Sequence, residues 1–199
     1  MDKVEEVLAF WFEGFDTPDE MDSDKVMRFF SSTPEFNDTL RAKFGEDLVK
    51  AGRGDYDCWT STPRGALALT IICDQFTRNL YPDSPENVSN DAKAVAVARE
   101  AVSKGFDRDL WPIQKLFFYL PFEHAEDMEM QRLALQKMDE NIAQSEGAIK
   151  SAFENFRYYS HLHYIVIEKY GRFPGRNKML GRVNTPEEDE YLRNDPDGF

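Results

Sequence analysis

Cysteine and long apolar runs are scarce in this sequence of 199 residues. The two cysteines, Cys58 and Cys73, cannot build a disulfide framework. The longest aliphatic stretch, residues 65–73, is far shorter than the ~20 residues that a membrane-spanning helix needs. The first residues are acidic, whereas a secretory signal opens with basic ones. We therefore expect a cytoplasmic protein with no membrane partner.

Basic side chains are also in short supply, because 24 Lys and Arg stand against 37 Asp and Glu, for a formal net charge of −13. Duplex binding requires clustered Lys and Arg at the phosphates, so we expect no nucleic-acid partner. The 11 glycines and 10 prolines are ordinary counts, which excludes collagen-like and low-complexity chains. The length favours a single domain over residues 1–199, with two small domains that share a core as the alternative.

The sequence lacks the alternating β-branched pattern of paired strands, and its apolar residues recur with helical spacing instead. We predict an all-α fold of antiparallel stacked helices with no sheet. The predicted helices cover about residues 1–12, 23–30, 34–51, 63–79, 91–104, 111–120, 122–144 and 148–170, and a short one begins at 186. Three of these helices open with a Thr-Pro pair, which suits an N-cap followed by the first helical position. Pro121 is expected to break the chain between two of them.

The helix predicted over 63–79 carries Asp74 and Arg78 on a surface that is otherwise apolar nearly all round, so we expect this helix to be central. A buried carboxylate is costly unless it is paired, and Arg78 lies one turn after Asp74. Two interpretations stay open. The pair is either structural or part of a ligand site that includes Asn79, whose side chain alternatively caps a helix end.

Two of the three histidines fall on apolar stripes of predicted helices. His124 lies near the start of the helix predicted over 122–144, and His163 lies near the end of the helix predicted over 148–170. Antiparallel packing would make these two histidines neighbours, whereas His161 lies on another face and is expected in solvent. Each inward histidine suits either a hydrogen-bonded core position or a binding or acid–base role.

The turn after Tyr170 concentrates glycine and arginine in this acidic chain. Its sequence is Gly171-Arg172-Phe173-Pro174-Gly175-Arg176-Asn177. A guanidinium group matches carboxylate or phosphate, so Arg172 and Arg176 are predicted to bind either an acid of the protein or an anionic ligand. Alternatively, the arginines bind carbonyls at a helix end and Asn177 is a helix cap.

These motifs resemble a bacterial family, the domain-of-unknown-function 924 family, over nearly the whole chain. The matching strings are Phe10-Trp11-Phe12, Asp74-Gln75-Phe76-Thr77-Arg78-Asn79, Leu120-Pro121-Phe122-Glu123-His124-Ala125-Glu126-Asp127, the Gly171–Asn177 turn and Thr185-Pro186-Glu187-Glu188. The resemblance implies a helical fold similar to that of tetratricopeptide-repeat domains, and it implies no reaction. Thr77 and Gly175 depart from the family, which usually has Pro and His there. If that histidine serves a site, its version in this chain is impaired.

The favoured hypothesis is a binding module with a small pocket for an anion or carboxylate. Arg78, His124, His163, Arg172 and Arg176 would bind the ligand, and Asp74 and Glu126 would orient these basic groups. The full predicted site comprises Asp74, Arg78, Asn79, His124, Glu126, His163, Arg172, Arg176 and Asn177. A peptide groove between the helices is a related form of this hypothesis.

Two other functions stay open. An enzyme would use His124 or His163 as a general base, or both as metal ligands with a carboxylate. The sequence has no HExxH, GxSxG, paired-cysteine or phosphate-loop motif, so we predict no metal and no cofactor and lean away from an enzyme. The third alternative is an interaction scaffold with no small-molecule site. The sequence makes no prediction of oligomeric state.

Overall fold

The computed structural model describes residues 2–31 and 33–195, and within these residues the chain is helical with connecting turns and no strand. The α-helices are α1 Lys3–Trp11, α2 Ser23–Met27, α3 Pro34–Arg53, α4 Pro63–Ile71, α5 Thr77–Leu80, α6 Asp91–Ser103, α7 Pro112–His124, α8 Met128–Ala143, α9 Gly147–Tyr170 and α10 Pro186–Asn194. A π-helical segment, Ile72–Phe76, joins α4 to α5. The predicted all-α class is confirmed. No helix in the described part of the chain is long and apolar enough to cross a membrane.

The described residues form two compact units. Unit 1 comprises residues up to 82 together with 86–121, and unit 2 comprises 83–85 together with the residues from 122 onward. The boundary falls inside α7, after Pro121. Two expectations from the sequence stay predictions. They are the single domain over residues 1–199 and the tetratricopeptide-like arrangement of the helices.

The core of unit 1 is built around aromatic side chains and the helix α4. The ring of Trp11 lies 5.3 Å from that of Phe29, 5.6 Å from that of Phe76 and 5.7 Å from that of Phe117. Such pairs add about 0.5–1.5 kcal/mol each beyond the burial of their area. Every residue from Gly65 to Ile71 is buried, so the predicted central helix is confirmed.

The Thr-Pro openings begin helices as predicted. The hydroxyls of Thr33, Thr62 and Thr185 each accept the backbone N–H three residues later, at 3.1–3.2 Å. At Thr185 the contact is reciprocal, because the Glu188 carboxylate accepts the N–H of Thr185 at 2.7 Å. Residues that satisfy the first N–H groups of a helix thus set where these helices start.

The predicted break at Pro121 and the predicted helix over 122–144 are wrong. Helix α7 continues through Pro121 to His124. A proline inside a helix removes one backbone hydrogen bond and crowds the preceding turn, and the burial of Leu120 and Phe122 on either side of it offsets this cost. The break comes at 125–127, where Asp127 caps α8 by accepting the N–H groups of Glu129 and Met130 at 2.8 and 3.0 Å. His124 therefore ends one helix rather than opening the next.

Gln131 of α8 closes the end of α7. Its Nε2 donates to the carbonyl oxygens of Glu123 at 2.6 Å and Ala125 at 2.8 Å. The last carbonyls of a helix have no partner within it, so a buried amide from the following helix can satisfy them.

Unit 2 is organised by α8 and α9, which pack against each other across a short connection. Gly171 ends α9 in the left-handed conformation, with φ of +70°, which a side chain would strain. The turn that follows folds back so that Phe173 is fully buried with Val166 and Ile167 of α9. This return brings the arginine-rich turn beside the C-terminal half of α9.

Candidate functional site

The charged pair predicted in unit 1 is present and belongs to a larger network. Asp74, which is 1% exposed, accepts from Arg78 Nε at 3.3 Å and from Gln75 Nε2 at 2.6 Å. Arg78 also donates to Asn87 Oδ1 at 3.1 Å and to Asp91 Oδ1 at 3.0 Å. One guanidinium group thus joins two carboxylates and an amide at the π-helical turn. A buried carboxylate needs such a cation and further hydrogen bonds to be stable, so this arrangement suits a structural role.

Asn79 lies at the end of the same segment. Its Nδ2 donates to the carbonyl oxygen of Gln75, one turn earlier, at 3.0 Å. Thr77, where the family usually has Pro, donates from its hydroxyl to the carbonyl oxygen of Cys73 at 2.7 Å and accepts from Asn90 at 3.2 Å. These contacts support the structural interpretation of this motif. A ligand role for Asp74, Arg78 and Asn79 stays a prediction.

Unit 2 brings together three of the predicted site residues. The rings of His124 and His163 lie 6.2 Å apart, so the predicted neighbours are confirmed. His163 packs edge-on against Phe173 at 5.5 Å, and the Arg176 guanidinium group lies over the same ring at 4.4 Å. Arg176 Nη1 also donates to the carbonyl oxygen of His124 at 3.0 Å. We call these four residues the histidine–arginine cluster.

A buried carboxylate lies next to this cluster and was missed by the sequence analysis. Glu123 is 5% exposed, and its Oε1 lies 3.4 Å from Nδ1 of His163. Its Oε2 accepts from the hydroxyl of Ser160 at 2.5 Å. Ser160 and His163 are three residues apart on α9 and therefore face the same way. The sequence did contain a signal for this contact, because Ser160 and His163 lie one turn apart on α9 and Glu123 directly precedes His124.

The hydrogen bonds of Ser160 do not form a nucleophilic triad. Its hydroxyl contacts Glu123 and, at 3.1 Å, the carbonyl oxygen of Phe156, and Glu123 stands between it and His163. A serine nucleophile needs the histidine itself as its partner. The geometry therefore presents Glu123 and His163 as the interacting pair.

Arg172 and Asn177 lie in a second network of the same turn. Arg172 donates to both oxygens of Glu188, at 2.6 and 2.7 Å, and Asn177 Nδ2 reaches Glu188 at 3.3 Å and Asn184 at 2.8 Å. Glu188 is 2% exposed, and its hydrogen bonds from Arg172 lower its pKa to about 2. The acid that the sequence left open as a partner of Arg172 is thus Glu188 of α10.

Glu126 holds the turn to the segment after α7. Its carboxylate binds both Nη atoms of Arg182, at 2.7 and 2.9 Å, and accepts the backbone N–H of Phe173 at 2.8 Å. Partial burial acts to raise the pKa of Glu126, but the bonds from Arg182 and Phe173 outweigh it and the pKa is lowered. Glu126 therefore orients Arg182 and the ring of Phe173, on which Arg176 lies.

His161 is exposed, as predicted. Within residues 2–31 and 33–195, no three His, Cys, Asp or Glu side chains are grouped so that they could hold a metal ion. The site residues that unit 2 brings into contact with one another are therefore His124, His163 and Arg176, with Glu123 beside them.

Comparison with known proteins places the chain in a family. The model of a family described as bacterial protein of unknown function (DUF924) matches residues 7–196. A solved structure of a protein of unknown function from Agrobacterium tumefaciens is 30% identical, with 96% of this chain and 97% of that chain covered and a TM-score of 0.77. No curated protein matches the chain. The chain belongs to the DUF924 family of bacterial proteins of unknown function.

Proposed function

We propose that this protein binds a small anion, a carboxylate or a phosphate, at the histidine–arginine cluster of unit 2. The observation that carries the proposal is the grouping of two imidazoles and a guanidinium group around Phe173 in a chain of net charge −13. Imidazole and guanidinium donors that gather in an acidic protein are the local exception to its composition, and they suit an anionic ligand.

The surroundings of these donors favour binding over simple solvation. His163 is 8% exposed and Phe173 is fully buried, so a ligand here would lose part of its water and gain charge-assisted hydrogen bonds. Each such bond contributes about 1.5–3 kcal/mol. The ring of Phe173 also holds the plane of the Arg176 guanidinium group, which reduces the conformational entropy lost on binding.

The other predicted residues of unit 2 have supporting roles in this proposal. Arg172 and Asn177 hold the turn to Glu188 of α10, and Glu126 holds it through Arg182. A preorganised turn keeps Arg176 in place before the ligand arrives. We therefore assign ligand contacts to His124, His163 and Arg176, and framework contacts to the other three residues.

Thermal unfolding tests the proposal directly. Phosphate, sulfate and small dicarboxylates are each added at constant ionic strength, with potassium chloride as the reference salt. A ligand at 100 times its dissociation constant stabilises the native state by about 2.7 kcal/mol. For a chain of this size that corresponds to a rise in Tm of roughly 5–10 °C.

The variants Arg176→Gln and His163→Gln are expected to lose this rise. Arg157→Gln and His161→Gln are the matched controls and are expected to keep it, because Arg157 is an exposed partner of Asp139 and His161 is exposed on α9. No rise with any of the anions, or an equal rise in Arg176→Gln and the parent protein, would contradict the proposal.

A second candidate function is an acid–base enzyme, and the contact between Glu123 and His163 favours it. A carboxylate beside an imidazole can stabilise its protonated form, which is what a general base requires when it takes up a proton. The proposed reaction class is proton transfer at a bound anion, and it uses the same cluster. An enzyme would show turnover of the bound anion that Glu123→Gln and His163→Gln both abolish, whereas a binding module would show binding alone.

A further inference from the structure

One nitrogen of His163 lies close to two acceptors. Nδ1 is 2.9 Å from the carbonyl oxygen of Tyr159 and 3.4 Å from Oε1 of Glu123. A backbone carbonyl can only accept, so Nδ1 must carry a hydrogen to make the 2.9 Å contact. The other nitrogen, Nε2, is then the one that gains or loses a proton when the imidazole titrates.

Glu123 adds a negative charge on the same side of the ring. The carboxylate is buried, and the bond from Ser160 holds its second oxygen. An opposite charge at this distance favours the charged form of an imidazole, more so where water is scarce.

We infer that Glu123 is a positioning residue of the proposed anion site, and that its carboxylate makes the imidazolium of His163 the form that binds the anion. This inference rests on the proposed function. Each anion is then bound together with a proton, because the positive charge that the ligand requires is the charge that protonation creates. By linkage, the proton and the anion each raise the affinity of the other.

The remaining charged groups near His163 come from the end of α7, from the segment after it, and from residues 171–182. His124 at the end of α7 and Arg176 in the turn are cationic or can become so, and both oppose protonation of His163 while no ligand is present. Glu126 and Arg182, bound to the backbone of Phe173, form an ion pair with each other. Glu123 is thus the acid that contacts His163, and a bound anion offsets the repulsion from Arg176 and His124.

The ligand class follows from this arrangement. It is an oxyanion, a carboxylate or a phosphate, that carries negative charge at neutral pH and accepts hydrogen bonds from cations on more than one side. Sulfate is the appropriate probe, because its charge is constant across the neutral range and any proton taken up on binding must come to the protein.

Calorimetric titration with sulfate measures both affinity and proton uptake. Titrations at one pH in two buffers of different ionisation enthalpy give the number of protons bound with each sulfate. A series from pH 5.5 to 8.5 gives the dependence of Kd on pH. If one proton is taken up, Kd rises by about tenfold per pH unit above the titration of His163.

Four variants test whether the pH dependence of Kd comes from His163 and Glu123 or from residues near them. His163→Gln is expected to bind sulfate weakly and to lose the part of the pH dependence that comes from His163, whereas His124→Gln and His161→Gln keep that part. Glu123→Gln keeps an oxygen that can accept from Ser160 but has no charge. Its Kd at acidic pH is therefore expected to match that of the parent protein, and its rise in Kd begins at lower pH.

Ser160→Ala is the control for Glu123, because it removes a hydrogen bond to the carboxylate and keeps its charge. The dependence of Kd on pH in this variant should therefore match that of the parent protein. A Kd that is the same at every pH in the parent protein overturns the inference and leaves anion binding intact. A Glu123→Gln variant with Kd raised equally at all pH values overturns it as well. Failure of the parent protein to bind sulfate, phosphate or a small dicarboxylate at any pH overturns the proposed function itself.

If Glu123→Gln does not fold, two measurements still decide the inference. These are the proton uptake of the parent protein and the comparison of His163→Gln with His161→Gln. Proton uptake below about 0.2 per sulfate at every pH tested contradicts it, since linkage requires a proton wherever the affinity depends on pH.

Discussion

The two units use arginine in different ways. In unit 1, Arg78 joins Asp74, Asn87 and Asp91, so its charge is matched by acids of the protein. In unit 2, Arg176 lies over Phe173, donates to the backbone carbonyl of His124, and has two histidines near it. Motifs of similar composition thus give an internal ion network in one unit and, in the other, a group of imidazole and guanidinium donors with Glu123 and Glu126 close to it.

The role of an arginine in such a motif therefore depends on the groups that its guanidinium contacts in the folded chain and not on the sequence around it. Arg172 makes the same point within unit 2, because it lies four residues before Arg176 and binds a buried acid. A guanidinium group held by carboxylates contributes to stability, and one held by an aromatic face and a carbonyl suits recognition.

The largest expected effect is on stability and separates Arg78 from Arg176. Arg78→Ala leaves the buried Asp74 carboxylate without its cation, which costs about 3–5 kcal/mol. Arg176→Ala removes a cation–π contact and a bond to a carbonyl at a half-exposed position and is expected to cost about 1–2 kcal/mol. Urea unfolding of both variants checks this order. An equal loss of unfolding free energy in the two variants would contradict the difference proposed between Arg78 and Arg176.

The next prediction concerns the acid stability of unit 2. The pKa of Glu188 is lowered from 4.5 to about 2, so its ionised form is bound better in the folded chain than in the unfolded one. This stabilisation is fully present above pH 4.5 and is lost as pH falls toward 2. Glu188→Gln is expected to be less stable than the parent protein at neutral pH, with the gap closing below pH 4.5.

Unfolding by urea from pH 2.5 to 7 measures this gap. Glu187→Gln is the matched control, because Glu187 is an exposed neighbour on α10, and it is expected to follow the parent protein. A gap between Glu188→Gln and the parent protein that stays constant with pH would show that the ion pair with Arg172 is not its cause.

The smallest expected effect is the difference in stability loss between two asparagines, Asn177 and Asn79, that the sequence analysis assigned to the same predicted site. Asn177 is fully buried and bonds Asn184 and Glu188, whereas Asn79 is half-buried and donates to the carbonyl oxygen of Gln75. Asn177→Ala is expected to cost about 2–3 kcal/mol, and Asn79→Ala about 1 kcal/mol. Thermal unfolding of the two variants gives the order. The reverse order would show that the network in unit 1 is the more tightly held.

Some of the site was predictable because its cause is local. The Thr-Pro helix starts, the Asp74–Arg78 pair one turn apart and the solvent-facing His161 depend on neighbours within four residues. The contact of His124 with His163 was predicted correctly for a partly wrong reason. His124 ends α7, and the break after it lies at Asp127 and not at Pro121.

The rest was not predictable because it depends on residues far apart in the chain. Glu123 meets Ser160 across 37 positions, and Glu126 meets Arg182 across 56. No spacing rule connects such pairs, and each carboxylate had several cations available to it. Gln131 shows the same limit, since its place on a helical stripe gave no sign that it closes the end of the preceding helix.

By itself, the sequence determined where most helices begin, which faces are apolar and which segments carry charge, because capping and periodicity act over a few residues. Only the folded chain shows which acid binds each arginine, that Glu123 lies beside His163, and that Phe173 holds His163 and Arg176 around one ring. These choices depend on distance and burial in the folded chain, and the electrostatic energy of a pair is set by both.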